Sequence, residues 1–121
     1  MKNDLEDRLI AYSVMILEIV DNMEDDKGAN HLAGQLIRSG TAPSLIYGEA
    51  QAAESRKDFI HKMRLSLKEL RETYTCLKII HKMNYAISVK QKLMVSLEES
   101  NELISIFVKS VETARKKLNS I

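Results

Sequence analysis

The sequence is poor in the residues that build most catalytic and secreted folds. It holds one cysteine, one proline, four glycines and no tryptophan in 121 residues. A lone Cys76 cannot close an intramolecular disulfide, so nothing in cysteine usage points to a secreted scaffold. So few glycines and prolines argue against a turn-rich β fold and against a nucleotide-binding α/β domain. No charge surplus exists either: 18 basic residues face 17 acidic ones. The run from Leu9 to Leu17 includes Ser13 and stops at Glu18, far short of the roughly 20 residues needed to span a bilayer. The opening MKNDLEDR is acidic, with no basic segment leading into an apolar one. The expectation is a cytoplasmic protein with a reduced thiol and no membrane contact.

What is present is helical periodicity. At 45% hydrophobic and 29% charged residues, the chain has material for one domain over 1–121 with one core. Leu5, Leu9, Tyr12, Ile16, Ile19 and Met23 recur at alternating steps of 4 and 3, one stripe of a helix. Asp26 is placed to cap the next helix. That helix is expected from about Asn30 to Ala53, with Gly40, Thr41 and Pro43 in its path. Proline lacks the donor N–H, so the helix must stop or kink there; the apolar residues resume at Leu45 and Ile46, which favours one kinked helix. Ser55-Arg56-Lys57-Asp58 resembles a capping box and opens a third helix at Arg56. Its predicted core stripe is Phe59, Met63, Leu67, Leu70, Tyr74 and Leu77, running to about Met83. Ser88-x-x-Gln91 reads as a second capping box for the last helix, whose stripe runs from Val89 through Leu93, Leu97, Ser100, Ile104, Phe107, Val111 and Ala114 to Leu118. The predicted fold is all-α: an antiparallel up-and-down four-helix bundle with a kinked second helix.

Two features exceed what a bundle needs. Met94, Val95, Leu103, Ile106 and Val108 lie off the main seam of the last helix. They mark either a wide core contact or a subunit interface. The second feature is charge. From Lys57, steps of 4 and 3 give His61, Arg64, Lys68, Arg71, Thr75, Lys78 and Lys82, a row roughly 35–40 Å long. Two readings stand: a solvated outer face with pairs such as Lys68 to Glu72, or a polyanion-binding face using Lys57, Arg64, Lys68, Arg71, Lys78 and Lys82. No aromatic residue interleaves with the row, so base stacking has no support there. Residues 1–26 carry two basic and eight acidic side chains, 27–86 ten and five, and 87–121 six and four. The near-neutral total hides an uneven distribution.

Enzyme signatures are absent: no glycine-rich phosphate loop, Cys-x-x-Cys, His-Glu-x-x-His or Gly-x-Ser-x-Gly. Asp58-x-x-His61 is the nearest approach to a di-iron motif and occurs once, with Asp for Glu. His31 and His81 have no carboxylate or cysteine at ligand spacing, and Cys76 has no activating neighbour. No enzyme, metal or cofactor is expected.

Gln-Leu-Ile-Arg-Ser-Gly-Thr (Gln35 to Thr41), Gly48-Glu49-Ala50, Ala53-Glu54-Ser55, Asp58-Phe59, Lys62 and Leu67-Lys68-Glu69 with Glu72 resemble a known family. It is the bacterial four-helix-bundle family named for proteins encoded in intervening sequences of 23S ribosomal RNA genes. The resemblance covers the central third by motif and the whole chain by length and helix order. It implies an up-and-down bundle that assembles into ring-like homopentamers, with nucleic-acid association suggested by genetic context. A similar bundle serves as accessory subunit to reverse transcriptases of diversity-generating retroelements, though those bundles are strongly basic and this chain is not. Where the family has Asn, this chain has Ile46, so any role of that Asn does not transfer. Arg38, Glu49, Lys62 and Glu69 match, and are expected to form a polar network holding the second and third helices in register; a ligand role is the alternative. The functional expectation is a non-enzymatic oligomeric protein contacting RNA or DNA through the basic row, or else a structural or protein-partner scaffold, such as an accessory to a nucleic-acid enzyme.

Overall fold

The computed structural model describes residues 4–120. Four helices follow in order: α1 (Asp4–Asp21), α2 (Lys27–Gln51), α3 (Arg56–Met83) and α4 (Lys90–Asn119), with a 3-10 turn at Ile87–Val89. Each helix packs on its chain neighbours and α4 closes back onto α1, which is the up-and-down ring. At 1.5 Å per residue α3 and α4 are about 42 and 45 Å long, against about 27 Å for α1.

The caps divide. Asp26 adopts extended backbone and its carboxylate accepts from Ala29 N–H (2.9 Å), so α2 starts at Lys27 rather than near Asn30. Ser55 Oγ accepts from Asp58 N–H (3.0 Å), and Asn84 ends α3 in the left-handed region at φ 58°. The expected Ser88 capping box does not form. Backbone folds there into the 3-10 turn, Val89 precedes α4 without a side-chain cap, and Ser88 Oγ reaches toward the Asn22 carbonyl (3.5 Å). Glu24 N–H also donates to the Tyr85 carbonyl (2.8 Å). The α1–α2 and α3–α4 loops are therefore tied at one end of the bundle.

Helix α2 runs unbroken through Pro43, which is itself buried. Its middle holds Gly34, Ser39, Gly40, Thr41, Pro43 and Gly48, a poor helix-forming set, so tertiary packing must sustain it. The reason is visible at Gly40. A Cβ there would lie 2.6 Å from Ile16 Cγ2 and 3.1 Å from Cγ1; only glycine lets α1 approach this closely. Ser13 Oγ donates to the Gly40 carbonyl (3.2 Å) and lies 3.0 Å from Ser44 Oγ. The neighbouring Ser39 turns the other way, its Oγ 2.9 Å from Thr73 Oγ1 on α3.

One hydrophobic cluster draws on all four helices: Leu9, Tyr12, Ile16 and Ile19; Leu36 and Tyr47; Met63, Leu70, Leu77 and Ile80; Leu93, Leu103 and Phe107. Tyr47 and Phe107 meet edge to face at 6.0 Å. The seam of α3 departs from the predicted one. Ile60, Ser66, Thr73, Cys76 and Ile80 are buried, while Phe59, Leu67 and Tyr74 are only half-buried. The surplus on α4 also resolves. Leu103 is fully buried and Ile106 packs on the core, Val108 is half-buried, and Met94 and Val95 stay exposed. Inside, Tyr12 lies 2.6 Å from Ser100 Oγ, which donates to the Ser96 carbonyl (2.8 Å). Burial pushes the Tyr12 phenol above its ordinary range, keeping it a neutral donor.

Glycines give opposite outcomes by position. Gly40→Ala should cost about 1–3 kcal/mol through overpacking against Ile16. Gly34→Ala, at an exposed site with no atom near the new Cβ, should gain about 0.5–1 kcal/mol from helix propensity. Thermal and urea melts of the two variants check both signs.

Candidate nucleic-acid interface

The residue types of the basic row are spaced for one helical face, and the structure puts them there. Lys57, His61, Arg64, Lys68, Arg71, Thr75, Lys78 and Lys82 are all exposed along the outer side of α3. The in-helix pair of Lys68 with Glu72 does not form. Glu72 and Glu69 both turn to Arg38 of α2, Glu69 at 2.9 Å, and Gln35 Oε1 accepts from the same guanidinium (3.3 Å). Among the described residues, none of the six cations of the row has a carboxylate within 4.0 Å. Lys78 instead lies over the Tyr74 ring, 4.4 Å from its centre, while Asn101 Nδ2 donates to the Tyr74 hydroxyl (3.2 Å). That ring is occupied by the cation.

Arg38, Glu49, Lys62 and Glu69 make two separate α2–α3 ties rather than one network: Arg38 with Glu69 and Glu72, and Lys62 with Glu49 at 2.7 Å. These residues are partly exposed, so no buried charge compels the pairing. Such pairs are worth about 1 kcal/mol or less; their consequence is the placement of charge. The hydrogen bond to Glu49 raises the Lys62 ammonium pKa. A third tie closes the ring, with Arg8 of α1 holding Glu99 of α4 through two bonds (2.7 and 2.9 Å) and Glu102 at 2.5 Å. Lys92 and Glu18 add a fourth at 2.7 Å.

Cationic residues beyond the row were missed by reading single helices. Arg115 of α4 shares a groove with Lys57, Arg64 and Lys68. A second, shallower groove brings Lys109 and Lys117 of α4 beside Arg56 of α3. The available signal was the cluster Arg115-Lys116-Lys117 at the far end of α4, which antiparallel packing carries back to the start of α3.

Chemistry of other kinds finds little purchase. Among the described residues no three His, Cys, Asp or Glu side chains are placed to hold a metal. No helix is long and apolar enough to cross a membrane. Cys76 is buried, its Sγ 3.6 Å from the Leu32 carbonyl, and desolvation, aided by Glu72, pushes the thiol up to about 11.

Together these features define a small up-and-down four-helix bundle with an exposed cationic row along α3 that no carboxylate among the described residues holds. The profile of the 23S rRNA-intervening sequence protein family matches residues 2–109, and the chain belongs to that family. A crystal structure of a protein with unknown function from the S23 ribosomal protein family of Bacteroides thetaiotaomicron VPI-5482 superposes with a TM-score of 0.78. Identity is 24%, over 88% of this chain and 96% of that one, so that likeness is one of fold. Neither comparison attaches a catalytic activity to the chain. No curated protein matches it.

For Cys76 the raised pKa has a sign. The fold favours the neutral thiol, so its contribution to stability is complete below the ordinary value near 9 and lost as pH rises toward 11. In the native protein at pH 8 the thiol should react with a disulfide reagent at least about tenfold more slowly than in urea, and the pH 9–11 fall in stability should be shallower in Cys76→Ala.

Proposed function

We propose that this protein is a non-enzymatic, oligomeric interaction protein that engages RNA or DNA through the outer face of α3. The observation that carries the reading is the freedom of the row: six cations on one face, all exposed, none held by a carboxylate among the described residues. A solvated structural face is ordinarily laced with i,i+4 pairs. Here Glu72, the one carboxylate of α3 at i,i+3 or i,i+4 from a cation of the row (Lys68), is drawn off by Arg38. Each phosphate neutralised by the row releases counterions and contributes affinity without sequence information.

Self-association is supported by a different surface. Ile10, Val14 and Leu17 on α1 and Ile37 and Leu45 on α2 are exposed, Leu45 at 69%. They flank the Ser13–Gly40 contact and form an apolar face on the α1–α2 side, with exposed Gly34 and Gly48 beside it. Exposed large apolar side chains gathered on two adjacent helices support a partner there. The family resemblance favours a further copy of the chain as that partner, in a pentamer. The same face also favours the second reading: a scaffold that docks a nucleic-acid enzyme and makes no nucleic-acid contact itself.

Fluorescence anisotropy with labelled RNA and duplex DNA across a salt series separates the two. Six neutralised phosphates give a slope of log affinity on log salt of about −5 on duplex DNA. Lys68→Glu combined with Arg71→Glu should abolish binding while leaving the melt unchanged. Unchanged affinity in that variant, or none for the wild type at low salt, leaves the scaffold.

The oligomer has its own readout in light-scattering mass. Leu45→Glu should alter protomer stability by no more than about 0.5 kcal/mol, since the side chain is exposed, yet reduce the mass to that of a protomer. A wild type that already runs as a monomer overturns the α1–α2 interface.

A further inference from the structure

One end of the cationic row is not an open surface. Where α3 begins and α4 ends, the two helices enclose a groove of about 560 Å³. Its lining includes Lys57, Arg64 and Lys68 from α3 and Arg115 from α4, and no acidic side chain among the described residues. The apolar part of the lining is Ile60, Leu65 and Leu118. From this groove the row continues along α3 through Arg71, Lys78 and Lys82, with rises of about 4.5 Å to Arg71, about 10.5 Å across Thr75 to Lys78 and about 6 Å to Lys82.

Each feature narrows the occupant. Four cations without a carboxylate partner among the described residues call for an anion. A bare inorganic anion would use the cations and leave the apolar lining in water, so the ligand carries an apolar, flat or compact body beside its charge. The volume falls within the range of about 300–1,000 Å³ typical of small organic ligands. A groove of this volume admits a nucleotide-sized group and not a duplex. The cations leading away along α3 match a ligand whose charge repeats.

We infer that the groove seats one nucleotide unit, its phosphate held by Lys57, Arg64, Lys68 and Arg115 and its base laid against Ile60, Leu65 and Leu118. Arginine suits both parts, since its guanidinium binds phosphate through two parallel bonds and stacks on base planes. The unit comes either from an unpaired strand, which deepens the reading of the α3 row, or from a free nucleoside phosphate. Duplex contacts the open row alone; an unpaired strand gains the groove as well.

Two variants leave the row intact or nearly so. Arg115→Ser alters an exposed residue of α4, and Leu118→Ser removes part of the apolar lining with every cation in place. Anisotropy with a single strand and with a duplex of equal length, and amide chemical shifts on titration with AMP and with inorganic phosphate, read the outcome. The wild type should prefer the single strand. Either variant should weaken single-strand binding about tenfold, as loss of one base contact does, and duplex binding by less than about twofold. AMP should shift amides around the groove at concentrations where inorganic phosphate does not displace it. Strand binding that neither variant alters overturns the groove and leaves the row. AMP binding in the groove with no strand bound overturns the row and leaves the groove as a site for a free nucleotide. Displacement of AMP by equimolar inorganic phosphate, or no binding of any probe, overturns the nucleotide assignment.

Discussion

The close approach of α1 to α2 at Gly40 is the constraint from which the rest of the molecule follows. Ile16 occupies the space a Cβ would need, so α1 rests on the backbone of α2 rather than on its side chains. Three consecutive residues then face three directions. Gly40 receives α1, Ser39 bonds Thr73 of α3, and Arg38 reaches outward over α3 to Glu69 and Glu72. A helix rich in glycine, serine and threonine, with Pro43 inside it, would not hold together in water. It holds because both flanks are engaged, and that packing fixes which acids Arg38 meets.

From this comes the electrostatic asymmetry of α3. Its acids lean toward α2 and its cations lean outward and toward α4. Pairing Glu69 and Glu72 with Arg38 contributes little stability, because the guanidinium is largely exposed. The larger effect is on the cations left behind. Like charges at i,i+3 and i,i+4 repel by a few tenths of a kcal/mol each, so an unlaced row is a small standing cost to the helix. The cation over Tyr74 and the terminal groove with Arg115 show where that row meets its surroundings. The proposed anionic partner would relieve that repulsion.

Much of the architecture was legible in the residues. The periodic apolar stripes of α1 and α4 and the Asp26 and Ser55 caps follow from local rules, and the bundle follows from them; the continuation past Pro43 was read from the apolar residues that resume at Leu45 and Ile46, against the local rule that proline stops or kinks a helix. What was not legible depended on angle and on neighbours. The α3 seam was read in part: Met63, Leu70 and Leu77 are buried as expected, but Ser66, Thr73 and Cys76 were not counted as core. Thr73 buries against Ser39 and Cys76 against the Leu32 carbonyl, while Ser66 Oγ is buried without a hydrogen-bond partner. Ser88 has the sequence of a cap, but its hydroxyl turns to the carbonyl of Asn22, far away in the chain. The basic row lies on one exposed face as its spacing implied, whereas the freedom of Lys68 from Glu72 required knowing where Arg38 points. The groove was beyond sequence reading altogether, since Arg115 and Lys57 are brought together only by antiparallel packing.

The ring order has a last consequence. With α1–α2 on one side of the bundle and α3–α4 on the other, the apolar face and the cationic face look in opposite directions. Copies that bury the first against one another must present the second outward, one row per protomer. Under the proposed assembly a polyanion bound by one row would meet the next at high effective concentration, so weak contacts would combine into avidity without any new contact. A single row is short and carries a protein that is nearly neutral in total. The proposed assembly would turn it into an extended cationic surface, and the same hydrophobic residues that would make a lone protomer adhesive would then be the means of multiplying its charge.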